Sequence, residues 1–369
     1  MSLFYALLIL RLLNFEIYKN LIILKLINKN ILITGGAGFI GSNFIPYFLA
    51  QYPQCSIVNL DLLTYAGNLG NLKELQGYPR YYFIEGNITD RKLLENLFKI
   101  YDFYGVIHFA AESHVDNSIR NPGIFIETNV NGTFILLDVA YKYWMDAPFT
   151  YKSCYTQLNT QSIPRFHHIS TDEVYGSLGR NGLFTEKTPY APNSPYSASK
   201  AASDMLVRSY HHTYGLNTVI TNCSNNYGPK QHHEKFIPTI IRNALDGNPI
   251  PIYGNGSNIR DWLYVADHCK GIDLAFHHAK NGETYNIGGE NEKNNNEIAH
   301  TICIILDKLH PMKNYSYTKL ISYVEDRPGH DQRYAIDARK IKTELGWKAN
   351  ESFESGIMKT VKWYLAKYN

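Results

Sequence analysis

Two short stretches of this sequence carry side chains able to move protons. Tyr196-Ser197-Ala198-Ser199-Lys200 sets a phenol and an ammonium four positions apart. On a helix these positions share a face, so Tyr196 and Lys200 point into one site. A free tyrosine, with a pKa near ~10, is a poor base at neutral pH, but a neighbouring ammonium stabilises the phenolate. The pair is expected to act as a general base toward a hydroxyl that loses hydride. The second stretch, Ser170-Thr171-Asp172-Glu173-Val174-Tyr175-Gly176, follows a short apolar run and sets two carboxylates side by side. If their surroundings push their pKa values apart, Asp172 and Glu173 divide into acid and base. Each stretch also has a plainer reading. Tyr-x-x-x-Lys arises by chance in a chain with 29 tyrosines, and an acidic pair suits a helix N-terminus.

A third stretch, Gly35-Gly36-Ala37-Gly38-Phe39-Ile40-Gly41, has the spacing G-x-x-G-x-x-G between an apolar run and a helical pattern. The glycines allow a tight turn, close approach of backbone to a pyrophosphate, and close helix–strand packing. The helix N-terminus holds the negative charge. Asp61 lies 20 residues beyond Gly41. A carboxylate there accepts hydrogen bonds from ribose hydroxyls and repels a 2′-phosphate, which favours NAD over NADP.

The elements that must position these groups are legible as alternating strands and helices. Strands are expected at Asn30–Thr34, Ser56–Leu60, Arg80–Glu85, Gly105–Ala110 and Phe166–Ser170. Helices are expected at Phe39–Gln51, with a kink at Pro46, and over Ile124–Trp144. Residues 146–164 read as a polar surface loop. The alternation argues for an α/β fold with a doubly wound Rossmann parallel sheet. Past Cys223, Gly, Pro and Asn cluster at 225–230, 247–258 and 288–296, which suggests a smaller, loop-rich lobe over the mouth of the first domain. The expected division is an extension at 1–29, a dinucleotide-binding domain at 30–222 and a C-terminal lobe at 223–369, with some chain crossing.

Composition narrows the function classes. Of 369 residues, 44% are hydrophobic and 19% charged, which argues against disorder. The net charge of +3 is spread along the chain without a basic, aromatic-rich run, so nucleic-acid binding is not expected. Five scattered cysteines read as free thiols in a reducing, cytoplasmic setting. The histidine pairs that begin at His167, His211, His232 and His277 lack partners at ligand spacing, so no metal is expected. Residues 1–29 are rich in Leu and Ile but interrupted by Arg11, Glu16, Lys19 and Lys25. That falls short of the ~20 apolar residues that span a bilayer, and no membrane association is expected.

The stretches TGGAGFIGSNF, HFAAESHVDNSI, ISTDEVYG, SPYSASKA, NCSNNYGP, IYGNGSNIRDWLYVADH and DRPGHDQRYAID together resemble the extended short-chain dehydrogenase/reductase family, and within it the nucleoside-diphosphate-glucose 4,6-dehydratases. The resemblance runs from Asn30 to near the C-terminus. It implies a homodimer, formed through the helices at 124–144 and 196–214, that uses NAD without net redox on dTDP- or UDP-linked glucose. Tyr196, tuned by Lys200, takes the sugar 4-OH proton during oxidation at C4. Glu173 takes the C5 proton, Asp172 protonates the departing 6-OH, and hydride returns to C6. Thr171 sits near O4. The resemblance also implies a cofactor set of Gly35, Gly38, Phe39, Ile40, Gly41, Asp61, Thr64, Asn87, Ile88, Ala110, Ala111, Ser113 and Thr128, with Tyr196 and Lys200. For the substrate it implies Ser113, Thr171, Asn225, Lys235, Tyr253, Arg260, Asn295 and Arg327. The two arginines suit a diphosphate, and Tyr253 suits the base. Three departures stand out: Leu62 where the family has Lys, Asn87 where it has Asp, and Lys230-Gln231-His232-His233 where its loop is more apolar. The last leaves thymidine against uridine open. A nucleotide-sugar 4-epimerase would need Tyr196 and Lys200 but has no use for Glu173. A non-catalytic NAD-binding scaffold would leave every sugar nucleotide unchanged.

Overall fold

The computed structural model describes residues 28–156, 163–313, 315–326 and 328–368. Seven strands form one sheet: β1 (Asn30–Thr34), β2 (Ser56–Asp61), β3 (Tyr81–Glu85), β4 (Phe103–His108), β5 (Arg165–Thr171), β6 (Thr218–Cys223) and β7 (Thr284–Ile287). Their spatial order is β7-β6-β5-β4-β1-β2-β3, and every pairing is parallel. The order reverses between β1 and β4, and that switch point opens a crevice beyond the carboxyl ends of the strands.

The central strands are buried almost throughout because both faces of the sheet are covered. On one face Leu32, Val58, Val106 and Phe166 pack against Leu94, Leu136, Leu137 and Val207. On the other, Ile31, Ile33, Ile57 and Ile107 pack against Phe44, Phe48, Ile272 and Phe276. Alternate residues of one strand thus enter opposite cores, as the period of two requires.

Helix α1 spans Phe39–Gln51, the bounds expected from sequence, and Pro46 does not break it. Proline lacks the N–H that would bond the carbonyl four residues back. That carbonyl, Ser42 O, accepts a hydrogen bond from Lys230 Nζ at 3.1 Å, and Lys230 also pairs with Glu74 at 2.8 Å. Asn43 Nδ2 donates to Pro229 O nearby.

The helix expected over Ile124–Trp144 is present without a break, running as an α-helical turn at Pro122–Phe125, a π-helical stretch at Ile126–Gly132 and helix α2 at Thr133–Trp144. Two expectations are revised. The loop at 146–164 contains an antiparallel pair, Met145–Ala147 with Thr150–Tyr151, and a helical turn at Ser153–Thr156, while 157–162 lie outside the described residues. The second lobe is not loop-rich. Its core is built on helices Phe236–Leu245, Asn295–Leu309 and Phe353–Tyr368, with Ile240, Ile302 and Ile357 fully or nearly buried. The Gly, Pro and Asn clusters hold short strands, Asn225–Tyr227, Ile250–Tyr253 and Glu292–Asn294, with the turns that flank them. Helix Val265–His278 and β7 return from this part of the chain to the first sheet. All but the last two residues of the 1–29 extension lie outside the described residues.

Candidate active site

A cavity of about 310 Å³ lies at the strand ends, within the usual range for a ligand site. One end is the glycine turn. Gly35 has φ +72°, and a Cβ there would lie 2.5 Å from Ala110 N. A Cβ on Gly41 would lie 2.7 Å from both Gly35 O and Gly36 Cα. Both positions are sterically closed to larger residues, for the reasons the spacing suggested. Gly38 caps α1 without a side-chain hydrogen bond, and no acidic residue stands in the first turn. The helix therefore presents uncapped N–H groups and its positive end at the cavity, where Gly38, Phe39, Ile40 and Gly41 form the wall. Asp61 closes β2 with Oδ2 accepting from Ala37 N and Oδ1 from Leu63 N, both at 2.9 Å. Burial pushes its pKa up, and these two N–H groups pull it back. Thr64, Asn87, Ile88, Ala110, Ala111, Ser113 and Thr128 complete this half of the wall.

The other end is made of side chains. β5 stops at Thr171, whose hydroxyl accepts from Glu173 N at 3.3 Å and caps a 3₁₀ turn over Asp172–Tyr175. Helix α3 (Pro195–Tyr214) begins with a capping box between Ser194 and Ser197 and with Pro195 in its first turn. This start is strongly determined by sequence, and it fixes Tyr196 and Lys200 on the face turned to the cavity. Thr171, Asp172, Glu173, Tyr196 and Lys200 all line it, as do Asn225 and Lys235 from the second lobe. Lys235 Nζ donates to Ser113 O at 2.8 Å.

The electrostatics separate the acids and bases. Asp172 is 1% exposed. Burial, reinforced by Glu173 and Asp261 and opposed by Arg260, raises its pKa well above the ordinary value, which favours the protonated form that a general acid needs. Its Oδ2 and the Oδ1 of Asn225 are buried without a protein partner, which fits polar atoms aimed at a ligand. Tyr196 departs from expectation. Burial, then Glu173 and Cys223, raises its pKa well above 10, while a hydrogen bond to Thr171 works the other way. Lys200 Nζ donates to Ile169 O at 2.8 Å and lies 3.2 Å from His168 Nε2. Burial pulls Lys200 itself down to about 8.

Three further candidates stand outside the wall. Tyr253 is 39% exposed, and its hydroxyl lies 3.3 Å from Asp116 Oδ2. Arg260 is buried, donates to Ile259 O and Asp331 O and lies over the Tyr334 ring. Asn295 opens helix Asn295–Leu309, its N–H donating to Asn258 O. Arg327 lies outside the described residues. Sequence reasoning missed Asn129, in the π-helical stretch. Its side chain accepts from Glu112 N at 2.8 Å and donates to Glu112 O and Ser199 Oγ, pinning the loop after β4 to α3. A buried polar residue inside an apolar helical run was the available signal.

With this geometry in view, the comparisons are informative. The family model described as GDP-mannose 4,6 dehydratase matches residues 32–360. A dTDP-glucose 4,6-dehydratase from Salmonella typhimurium is 54% identical over 345 residues, covering 91% of this chain and 92% of that protein. The crystal structure of a dTDP-glucose 4,6-dehydratase from Bacillus anthracis in complex with NAD superposes with a TM-score of 0.79 at 47% identity, covering 92% of this chain and 97% of the other. A UDP-glucose 4-epimerase from Thermotoga maritima reaches a TM-score of 0.78 at only 26% identity, covering 92% and 100%.

Proposed function

The chain belongs to the GDP-mannose 4,6-dehydratase family, and we propose that within it the protein is an NAD-dependent dTDP-glucose 4,6-dehydratase, a hydro-lyase of deoxysugar biosynthesis. The observation that carries this reading is Asp172, a buried carboxyl with a raised pKa beside Glu173 in the same cavity as Tyr196 and Lys200. Epimerisation at C4 gives such an acid–base pair nothing to do. Overall shape does not separate the two activities, since the TM-scores of the dehydratase and the epimerase are nearly equal. Sequence identity does, and it falls on the dehydratase side. The thymidine nucleotide is favoured over uridine by the relatives' shared activity.

The glycine turn, the uncapped α1 terminus and Asp61 fit NAD: N–H donors for a pyrophosphate, no room for a Cβ at Gly35, and a carboxylate with spare acceptor capacity for ribose hydroxyls. Bound NAD supplies a reversible hydride acceptor, so that oxidation at C4 and reduction at C6 leave no net redox change. Tyr196 takes the 4-OH proton, with Thr171 as its hydrogen-bond partner. Oxidation at C4 makes the C5 proton acidic, and Glu173 removes it. Asp172 gives its proton to the 6-OH, which leaves as water, and once hydride has returned to C6 Glu173 gives a proton back to C5. Asn225 and Lys235 hold the sugar nucleotide from the second lobe, and Ser113 holds it from the first. Tyr253, Arg260 and Asn295 belong to the nucleotide and diphosphate end. The lobe boundary belongs near residue 222, with helix Val265–His278 and β7 crossing back.

The same reading includes a cytoplasmic homodimer. Ile124, Ile126, Phe134 and Met205, on or beside α2 and α3, are 38–53% exposed and supply an apolar face for a second copy. Among the described residues no helix is long and apolar enough to cross a membrane. The test is direct. Incubation with dTDP-glucose should give a product lighter by one water, with UDP-glucose turned over more slowly. A product of unchanged mass with inverted C4 overturns the reading.

A further inference from the structure

Beneath Lys200 lies a buried set of groups that the reaction just described does not use. His168 Nε2 lies 3.2 Å from Lys200 Nζ and 3.2 Å from Asp204 Oδ1. Lys200, His168 and Asp204 are 4%, 1% and 1% exposed, so solvent screens none of them. Asp204 stands one helical turn beyond Lys200 on α3, where opposite charges attract. Its Oδ2 accepts from Ser170 Oγ and Tyr190 OH, each at 2.9 Å. Tyr190 OH in turn accepts from Asn222 Nδ2 at 3.3 Å. Two donors from two segments therefore orient one carboxylate, and Asn222 on β6 orients one of those donors.

Lys200 Nζ carries only donors, so its 3.2 Å hydrogen bond is accepted by His168 Nε2, and Asp204 Oδ1, beside that ring, has no hydrogen-bond partner of its own. Burial and the nearby Lys200 keep the ring neutral. The titratable groups around Lys200 are Tyr196 and Asp204 on its own helix, His168 on β5, Cys223 on β6 and His108 on β4, of which His168 touches Nζ. Of these Asp204 carries the carboxylate.

We infer that Asp204 and His168 are positioning residues that hold the Lys200 ammonium charged and in place behind Tyr196, with Asp204 as its buried counter-ion. This rests on the proposed function only in that Tyr196 takes a hydroxyl proton while C4 loses hydride. Burial lowers the lysine and the Asp204 carboxylate opposes that fall. Without the carboxylate the ammonium loses its proton at lower pH, and hydride transfer fails on the alkaline side sooner.

The test follows the first turnover of dTDP-glucose by nicotinamide absorbance across pH, in Asp204→Asn and Tyr190→Phe. For Asp204→Asn the rate falls roughly 10²-fold with KM little changed, and the alkaline limb moves down by about one pH unit or more. Tyr190→Phe removes one hydrogen bond to the carboxylate at nearly constant shape. Its limb moves the same way by less, and it decides the matter alone if Asp204→Asn does not fold. Limbs that stay in place in the folded variants, with any rate loss tracking the folded fraction by circular dichroism, overturn the inference. Hydride transfer precedes water loss, so a wild-type protein that oxidises C4 without losing water overturns the proposed function and leaves this test intact.

Discussion

At the glycine end of the cavity the wall is backbone: a turn with no room for a Cβ, a helix terminus and the carboxylate that pins them. At the Tyr196 end it is side chains whose protonation states are set by burial and by one another. The first end selects by shape and can be damaged by adding a methyl group. The second works by chemistry and can be damaged by exchanging an oxygen for a nitrogen with no change of shape. The two kinds of wall predict two kinds of failure.

The largest expected effect lies at the side-chain end. Glu173→Gln should reduce water loss by roughly 10³-fold while slow oxidation at C4 survives. Nicotinamide absorbance in a single turnover, set against product mass, separates the two steps. Full-rate dehydration would remove Glu173 as the C5 base. At the backbone end, Gly35→Ala forces a side chain into the left-handed region against Ala110. A destabilisation of about 1–3 kcal/mol is expected, seen as a lower Tm and as loss of NAD from the purified protein. An unchanged Tm with full NAD content would show that this wall yields more than its contacts suggest. Asp61→Asn crosses the two categories, because the carboxylate both pins the turn and faces the cavity. NAD affinity should fall roughly tenfold, with discrimination against NADP reduced, as titration of the cofactor-depleted protein would read. The smallest effect is expected at Lys230→Met, about 1 kcal/mol or less in urea unfolding, since Glu74 is half exposed.

What was legible in the sequence follows the same division. The bounds of β1 and α1, the meeting of Tyr196 with Lys200, and the place of Thr171-Asp172-Glu173 at the end of β5 were readable because each is carried by local signals: apolar runs, glycine spacing, a proline after a capping serine. The support beneath them was not. Ser170 and Asp204 are 34 residues apart, and Asn129 and Ser199 are 70 apart. No periodicity links such pairs, so Asn129, His168 and Asp204 went unread. The second lobe was misjudged for a related reason. Its turn residues are conspicuous, whereas its helices are held by a core shared among distant segments. The upward push on the Tyr196 pKa was not legible either, because i, i+4 spacing fixes a shared face but not how deeply that face is buried.

Pro46 and Lys230 share one carbonyl, Ser42 O: the proline strips it of its helical donor, and the lysine from the other lobe supplies a replacement. Their effects on stability are therefore expected to be non-additive. Exchange of Pro46 for a residue with an N–H would make the lysine redundant there, whereas exchange of Lys230 alone would leave the carbonyl bare. The two positions form one heritable unit, expected to change together over descent, and a chimaera that takes its first helix from one parent and its 228–235 loop from another inherits half of a pair.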